Sequence, residues 1–134
     1  MANKQIDLPE SPSILLQSGC NEDLASAFVA AVEKGSEIAG RAYILSSKRA
    51  VTFGQFFEFV KEHLGSSSEA RYLPRGEFVK RLADESAVYW LDFLLAPTIF
   101  DISSAENDLG YSPEYTILQG LHEALLWCQE EGLL

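Results

Sequence analysis

Residues 105–116 read AENDLGYSPEYT: a short helical run, a glycine, an aromatic residue, a Ser-Pro pair and a threonine. Each of these is a local instruction to the backbone. Ser103 and Glu106 stand at capping-box spacing and open a helix of little more than a turn, which Gly110 ends. Ser112-Pro113 stiffens the turn, because proline fixes its own φ and keeps the preceding residue out of the helical region. Thr116 and Gln119 form a second capping box. Beyond it Ile117, Leu121, Leu125 and Cys128 recur at helical spacing until Gly132. The stretch therefore predicts two helices joined by a stiff hinge.

Upstream the same signals repeat. Asn21 is placed to cap a helix over 22–34, with Glu22 and Asp23 at its positive end, an apolar stripe of Leu24, Ala27, Phe28 and Ala31, and Gly35 to close it. AYILS, residues 42–46, is too short for a helix and predicts a buried strand. Thr52 and Gln55 make another capping box, opening a helix through Phe53, Phe56, Phe57, Val60 and Leu64 that Gly65 terminates. ARYL before Pro74 predicts a short strand. Helical period returns over 76–96 through Phe78, Val79, Leu82, Val88, Tyr89 and Leu91, with a break at Asp84-Glu85-Ser86 and a stop at Pro97. The first dozen residues hold two prolines, so 1–20 are expected to run extended. This order predicts an α/β fold: one small helix-rich domain over 1–134 with a few short, parallel strands, too few for a complete open sheet.

Composition sets bounds on function. The chain has 134 residues, 47% hydrophobic and 22% charged, with 10 Lys and Arg against 20 Asp and Glu for a net charge of −10. A field of that sign repels nucleic acid and anionic membrane, so neither is expected as a partner. No apolar run approaches the ~20 residues needed to span a bilayer. MANKQIDLPE has no signal-peptide core, and a cytoplasmic location is expected. Cys20 and Cys128 are far apart without metal-ligand spacing and predict free thiols. His63 and His122 are expected at the surface.

Motifs that carry chemistry are missing. There is no GxGxxG, GxxGxxG, GxxxxGK[ST], HExxH, GxSxG or CxxC, and none of the five tyrosines is followed four residues later by lysine. No catalytic, cofactor-binding or metal-binding residue is therefore assigned. Glu22-Asp23, Asp84-Glu85 and Glu130-Glu131 suit helix ends or solvent-facing positions. Arg71, Arg75, Lys80 and Arg81 make a basic cluster that Glu69, Glu77, Asp84 and Glu85 can balance. Within it Arg75, in a Pro-Arg-Gly-Glu turn, is the one candidate substrate contact, since a guanidinium there can grip a carboxylate or phosphate. Phe53, Phe56 and Phe57, like Tyr89 and Trp90, are read three ways: pocket wall, core, or a face that covers another domain.

The stretch 100–127, FDISSAENDLGYSPEYTILQGLHEALLW, resembles the C-terminal end of the extended short-chain dehydrogenases, the NAD-dependent epimerase/dehydratase family. The matching residues are Asp101, Ala105, Leu109, Gly110, Tyr111, Pro113, Gly120, Leu121 and Trp127. EDLASAFVAAVEKG, 22–35, resembles the family's Asp-Leu-Ala helix. RAYILSSKRAVTFGQFFEFVKEHLG, 41–65, resembles its strand, loop and Thr-capped helix. The resemblance covers about residues 6–134. It implies a substrate-binding portion that is not catalytic alone, with the Rossmann core, the NAD or NADP site and the Tyr-x-x-x-Lys pair lying elsewhere. It also implies an uncovered apolar face, to be filled by a second copy or by a Rossmann-core partner. Where sugar-nucleotide members carry Arg-Asp ahead of the Asp-Leu-Ala helix, this chain has Leu16 and Gln17.

Overall fold

In the computed structural model residues 4–82, 85–96 and 99–134 are described. They fall into two compact units. One is built from the chain up to Leu16 with Val51 to Ala96, the other from Gln17–Ala50 with Ile99–Leu134.

The first unit is organised by two short strand pairs. β1 (Gln5–Pro9) runs parallel to β4 (Glu69–Leu73), so the expected ARYL strand forms and finds its partner in the extended N-terminal segment. β2 (Leu15–Leu16) pairs with β3 (Val51–Thr52) in the antiparallel sense, a departure from the all-parallel expectation. An antiparallel pair needs no crossover, and two residues on each side suffice here. Asp7 faces Arg71 across the parallel ladder. Its Oδ1 accepts from the Arg71 Nε at 2.7 Å, while Arg81 Nη1 holds the other oxygen. At the end of β1, Glu10 takes a left-handed backbone (φ 57°). Its N–H donates to the Leu73 carbonyl at 2.7 Å and its carboxylate accepts from the Arg75 N–H at 2.8 Å. Both bonds help offset the steric penalty of a non-glycine residue in that region.

Helix α2 (Phe53–His63) begins at the expected Thr52–Gln55 capping box, with both reciprocal bonds made. Gly54 is needed on the way in: its N–H reaches the Pro12 carbonyl at 2.9 Å, and a β-carbon there would lie 2.9 Å from Pro12 Cβ. Phe53, Phe56, Phe57 and Val60 are half-buried, and no α2 residue is fully enclosed; His63, expected at the surface, is half-buried with them. α3 (Arg75–Val79) and α4 (Glu85–Leu95) divide the 76–96 period as the expected break requires, though Glu85 and Ser86, assigned to the break, belong to α4. The roles expected of Asp84 and Pro97 fall outside the described residues. Leu91 is buried, whereas Tyr89 points outward and is 73% exposed.

The second unit packs α1 (Asn21–Lys34), a 3₁₀ turn (Gly35–Ile38), α5 (Ser103–Leu109) and α6 (Ile117–Glu130). Ala27, Ile102, Ala105, Leu109 and Tyr111 form its buried centre, with Ala30, Ala31, Ile38, Tyr43 and Leu45 against them. Small residues at 27 and 105 let α1 and α5 approach closely. Three local expectations are corrected. Asn21 is the first helical residue rather than the cap, which falls to Cys20 without a side-chain bond. Ser103 likewise opens α5 from inside, because the Asp101 carboxylate takes its N–H at 2.9 Å and displaces the Ser103–Glu106 box. Residues 42–46 form no strand; among the described residues no backbone ladder lies beside them. A strand needs a neighbour, and side chains take that role here. Phe28, assigned to the core stripe of α1, is 68% exposed.

The hinge helices behave as their signals require. Gly110 is left-handed (φ 70°, ψ 22°) and donates to the Glu106 carbonyl at 3.1 Å, stopping α5. Thr116 and Gln119 complete the box that starts α6. Gly120 lies against Cys20, where a β-carbon would stand 3.3 Å from both Cβ and Sγ. Thr52→Ala and Thr116→Ala should each lower the unfolding free energy by about 1 kcal/mol in urea titrations. Gly54→Ala should destabilise as well, because Pro12 backbone as well as side chain stands in the way.

Candidate functional site

Asp23 sits in the first turn of α1, where a carboxylate suits the helix dipole. It is not solvent-facing as expected, but only 5% exposed. Its Oδ1 accepts the Glu114 N–H at 2.9 Å and its Oδ2 the Tyr115 N–H at 3.2 Å. These amides follow Pro113 and precede α6, so no helix or strand bond is there to take them. One buried carboxylate thus holds the hinge on α1.

Tyr111, next to the helix stop, is 5% exposed and its hydroxyl donates to the Ser46 carbonyl at 3.1 Å. Burial raises its phenol above the ordinary value, followed by the charge of Asp23 and then of Cys20. It remains a neutral donor. Ser47 completes the anchorage of this segment, donating its N–H to the Ser18 carbonyl at 3.0 Å. The three stretches that carry the family resemblance therefore meet at one place, through Asp23, Tyr111 and Ser46.

Gln17 works beside them. Its Nε2 donates to the Ser47 carbonyl at 2.8 Å and to the Phe100 carbonyl at 3.4 Å, while its Oε1 accepts the Phe100 N–H at 2.8 Å. The side-chain amide thereby pairs with both polar groups of one residue, as a neighbouring strand would. Neither Gln17 nor the half-buried Leu16 offers a cation where sugar-nucleotide members have arginine.

A cleft of about 440 Å³ opens between α1 and the hinge. Glu22, Ser26, Ser112, Glu114 and Tyr115 supply its polar wall, and no lysine or arginine lines it. The charge of Glu22, followed by burial, pushes the Tyr115 phenol up. Such a wall can hydrogen-bond hydroxyls or attract a cation, but it gives a phosphate no counter-charge. At the rim of α1, the Cys20 thiol donates to Glu22 Oε2 at 2.7 Å. Burial first and this bond second raise its pKa, which keeps it a thiol rather than a nucleophilic thiolate. Both cysteines are free, as expected.

Arg41 Nη1 contacts Asp108 Oδ2 at 2.6 Å, and the Tyr43 hydroxyl donates to the same oxygen at 3.0 Å. The Arg41 bond, then the Tyr43 bond, hold the Asp108 carboxyl below its usual range.

Of the basic cluster, Arg71, Arg75 and Arg81 meet carboxylates other than Glu69 and Glu77, while the side chains of Asp84 and Glu85 fall outside the described residues. Arg71 and Arg81 share Asp7, and Arg75 reaches Asp92 on α4 with Nε at 2.7 Å from Oδ1. The candidate contact Arg75 thus has its guanidinium on a carboxylate of its own unit, and it does not line that unit's cleft of about 420 Å³. Among the described residues no group of three His, Cys, Asp or Glu is placed to hold a metal ion. No described helix is long and apolar enough to cross a membrane. The roles of Asp23 and Gln17 escaped sequence reasoning. The only signal for Asp23 was its place in the Asp-Leu-Ala stretch, and for Gln17 its place where a family arginine is missing.

Two solved structures are similar to this chain. UDP-glucuronic acid 4-epimerase from Bacillus cereus, in complex with NAD, matches with a TM-score of 0.63 and 19% identity. UDP-glucose 4-epimerase from Thermotoga maritima, with UDP-glucose, matches at 0.62 and 22%. Each match covers 88% of this chain but 32% of the other, so the chain spans about a third of their length. The fold is that of the C-terminal portion of an extended short-chain dehydrogenase. No family model matches, and no curated protein does.

Asp23→Ala leaves two amides without their acceptor and is expected to destabilise the chain by about 2 kcal/mol, read from urea unfolding. Asp108 has a folded-state pKa below its unfolded value. Its contribution is present above the unfolded carboxylate range and is lost as pH falls through the folded value. Asp108→Asn should accordingly flatten the acid limb of the stability profile below about pH 5.

Proposed function

We propose that this chain is the substrate-binding domain of an NAD-dependent epimerase/dehydratase-like protein and is not catalytic alone. The observation that supports this most is the pair of matches that cover 88% of this chain and only 32% of two 4-epimerases. Hydride transfer needs a nicotinamide and an acid–base group held together at the substrate. In this reading both belong to a Rossmann portion, and the chain itself binds neither NAD nor NADP. The cleft beside Asp23 is the substrate-facing feature of the domain. Its acidic, hydroxyl-bearing wall favours a ligand without phosphate over a nucleotide sugar, and Arg75, already on Asp92, is a weak substrate contact. A cytoplasmic setting fits the two free thiols.

A second reading, an interaction module that joins a Rossmann partner chain or dimerises, draws on α1. Phe28, Val29 and Val32 are 68%, 59% and 81% exposed and lie on one side of that helix. Contiguous apolar surface of this kind is a docking feature.

Isothermal titration with NAD is expected to show no saturation, and a micromolar dissociation constant would sink the first reading; saturable binding of UDP-glucose would overturn only the preference for a ligand without phosphate. Phe28→Glu with Val32→Glu should lower the fluorescence of a bound apolar dye while leaving far-UV circular dichroism unchanged. An unchanged dye signal counts against the second.

A further inference from the structure

Residues 42–46 leave a row of backbone groups without partners. Among the described residues no N–H from Ala42 to Ser46, and no carbonyl from Arg41 to Leu45, is hydrogen-bonded within the chain. Pairing with the chain itself resumes at the end of the run, where Tyr111 takes the Ser46 carbonyl and Ser18 and Gln17 take Ser47. Exposure alternates along it: Ala42 is exposed, Tyr43 half-buried, Ile44 49% exposed and Leu45 half-buried. That is the pattern of an extended chain with one face down. The lower face, Tyr43 and Leu45, lies on the centre that α1 and α5 build. A strand with helices over one face and no strand beside it is part of an α/β layer without its sheet.

We propose that residues 42–45 join the sheet of a Rossmann portion as an added strand. The proposal deepens the second reading given above and rests on it, naming the segment through which the chain meets such a partner. Backbone chemistry is the first argument. A row of donors and acceptors along an extended chain is matched by another backbone, and by neither a side-chain surface nor lipid, so the occupant is a strand.

Composition is the second argument. Ala42, Tyr43, Ile44 and Leu45 are hydrophobic throughout, as in strands buried on both faces of a parallel sheet; a strand meant for water on one face would put polar residues at 42 and 44. The dinucleotide-binding fold is such a sheet, mostly parallel and open at its edges. A second copy paired edge to edge would leave both Ile44 side chains in water and bring together two chains of −10. Length agrees: this chain covers 32% of each matched epimerase, and in the reading above the larger remainder holds the Rossmann sheet. Charge does not oppose it. No charged residue falls within 42–46. Arg41 and Lys48 flank the run, each beside an acid of α5, Asp108 at 2.6 Å and Glu106 at 4.0 Å, and Arg49 lies beyond them.

The full chain is to be fused, through a cleavable linker, to the Rossmann portion of the Thermotoga maritima 4-epimerase, cut ahead of the third that matches. Amide hydrogen exchange at 42–45 is then followed by NMR in the isolated chain and in the fusion. In the isolated chain these amides should exchange freely at every concentration. In the fusion exchange should slow at least about a hundredfold on alternate residues, Ala42 and Ile44 or Tyr43 and Leu45, because successive N–H groups of a strand point to opposite edges. Mere covering of the segment produces no such alternation. Ile44→Asp should leave the far-UV spectrum of the isolated chain unchanged and restore free exchange in the fusion. Free exchange at 42–45 in the unmutated fusion overturns the proposal. Should the two parts then stay together after the linker is cut, the interaction reading stands with its contact elsewhere; should they separate, that reading falls too. Slow exchange in the isolated chain also overturns the proposal, by giving the strand a partner in its own chain or, where the slowing grows with concentration, in a second copy.

Discussion

The second unit depends on a carboxylate inside it. Asp23 is 95% enclosed, and an enclosed carboxylate is tolerated only where hydrogen bonds replace its water. The Glu114 and Tyr115 amides do so, and they in turn have no acceptor other than Asp23 in their own stretch of backbone. Neither side of this contact is stable without the other, which ties residues some ninety positions apart to one geometry. Tyr111 then carries the constraint onward to Ser46, and the segment 42–47 is held by the side chains of Tyr111 and Gln17 and by one backbone bond to Ser18 rather than by a sheet.

This arrangement bears on what the domain can do. The polar groups nearest the hinge are already engaged: Asp23 with two amides, Tyr111 with a carbonyl, Gln17 with Phe100 and Ser47. What faces the cleft is acidic and hydroxylic. Arginines that would suit a phosphate are bound to Asp7, Asp92 and Asp108. Exposed ion pairs of this type contribute little to stability, so a strong ligand could still recruit one, but it would have to displace an internal carboxylate first.

The parts of the fold that were legible in the sequence are those decided within four residues. The Thr52–Gln55 and Thr116–Gln119 boxes formed as read, and Gly110 adopted the left-handed stop that its position required. Local reading failed where a competitor stood just outside the window. Asp101 captured the Ser103 amide ahead of the Glu106 carboxylate, and Cys20 became the cap because Asn21 was drawn into the helix. It failed more broadly where the outcome needed a distant partner. AYILS has strand composition, yet among the described residues no backbone ladder lies along it; ARYL has no stronger signal, yet β1 pairs with it over five residues. Of the candidate site, the hinge was visible and its anchor was not, since an aspartate in a first helical turn looks the same whether it faces solvent or a distant amide.

By itself the sequence determined the helices, the caps at Thr52 and Thr116, the stop at Gly110, the acidic charge, the absence of dinucleotide and metal motifs, and the resemblance carried by three stretches in order. All of these are short-range or compositional. Only the tertiary structure decided that the three stretches converge on Asp23, Tyr111 and Ser46. It also decided that Arg71, Arg75 and Arg81 are held by Asp7 and Asp92, and that Phe28, Tyr89 and Trp90 face outward. The physical reason is that burial and hydrogen-bond partnership are properties of pairs. A side chain's desolvation is offset, or its apolar surface left uncovered, by residues whose distance along the chain carries no trace in the local pattern.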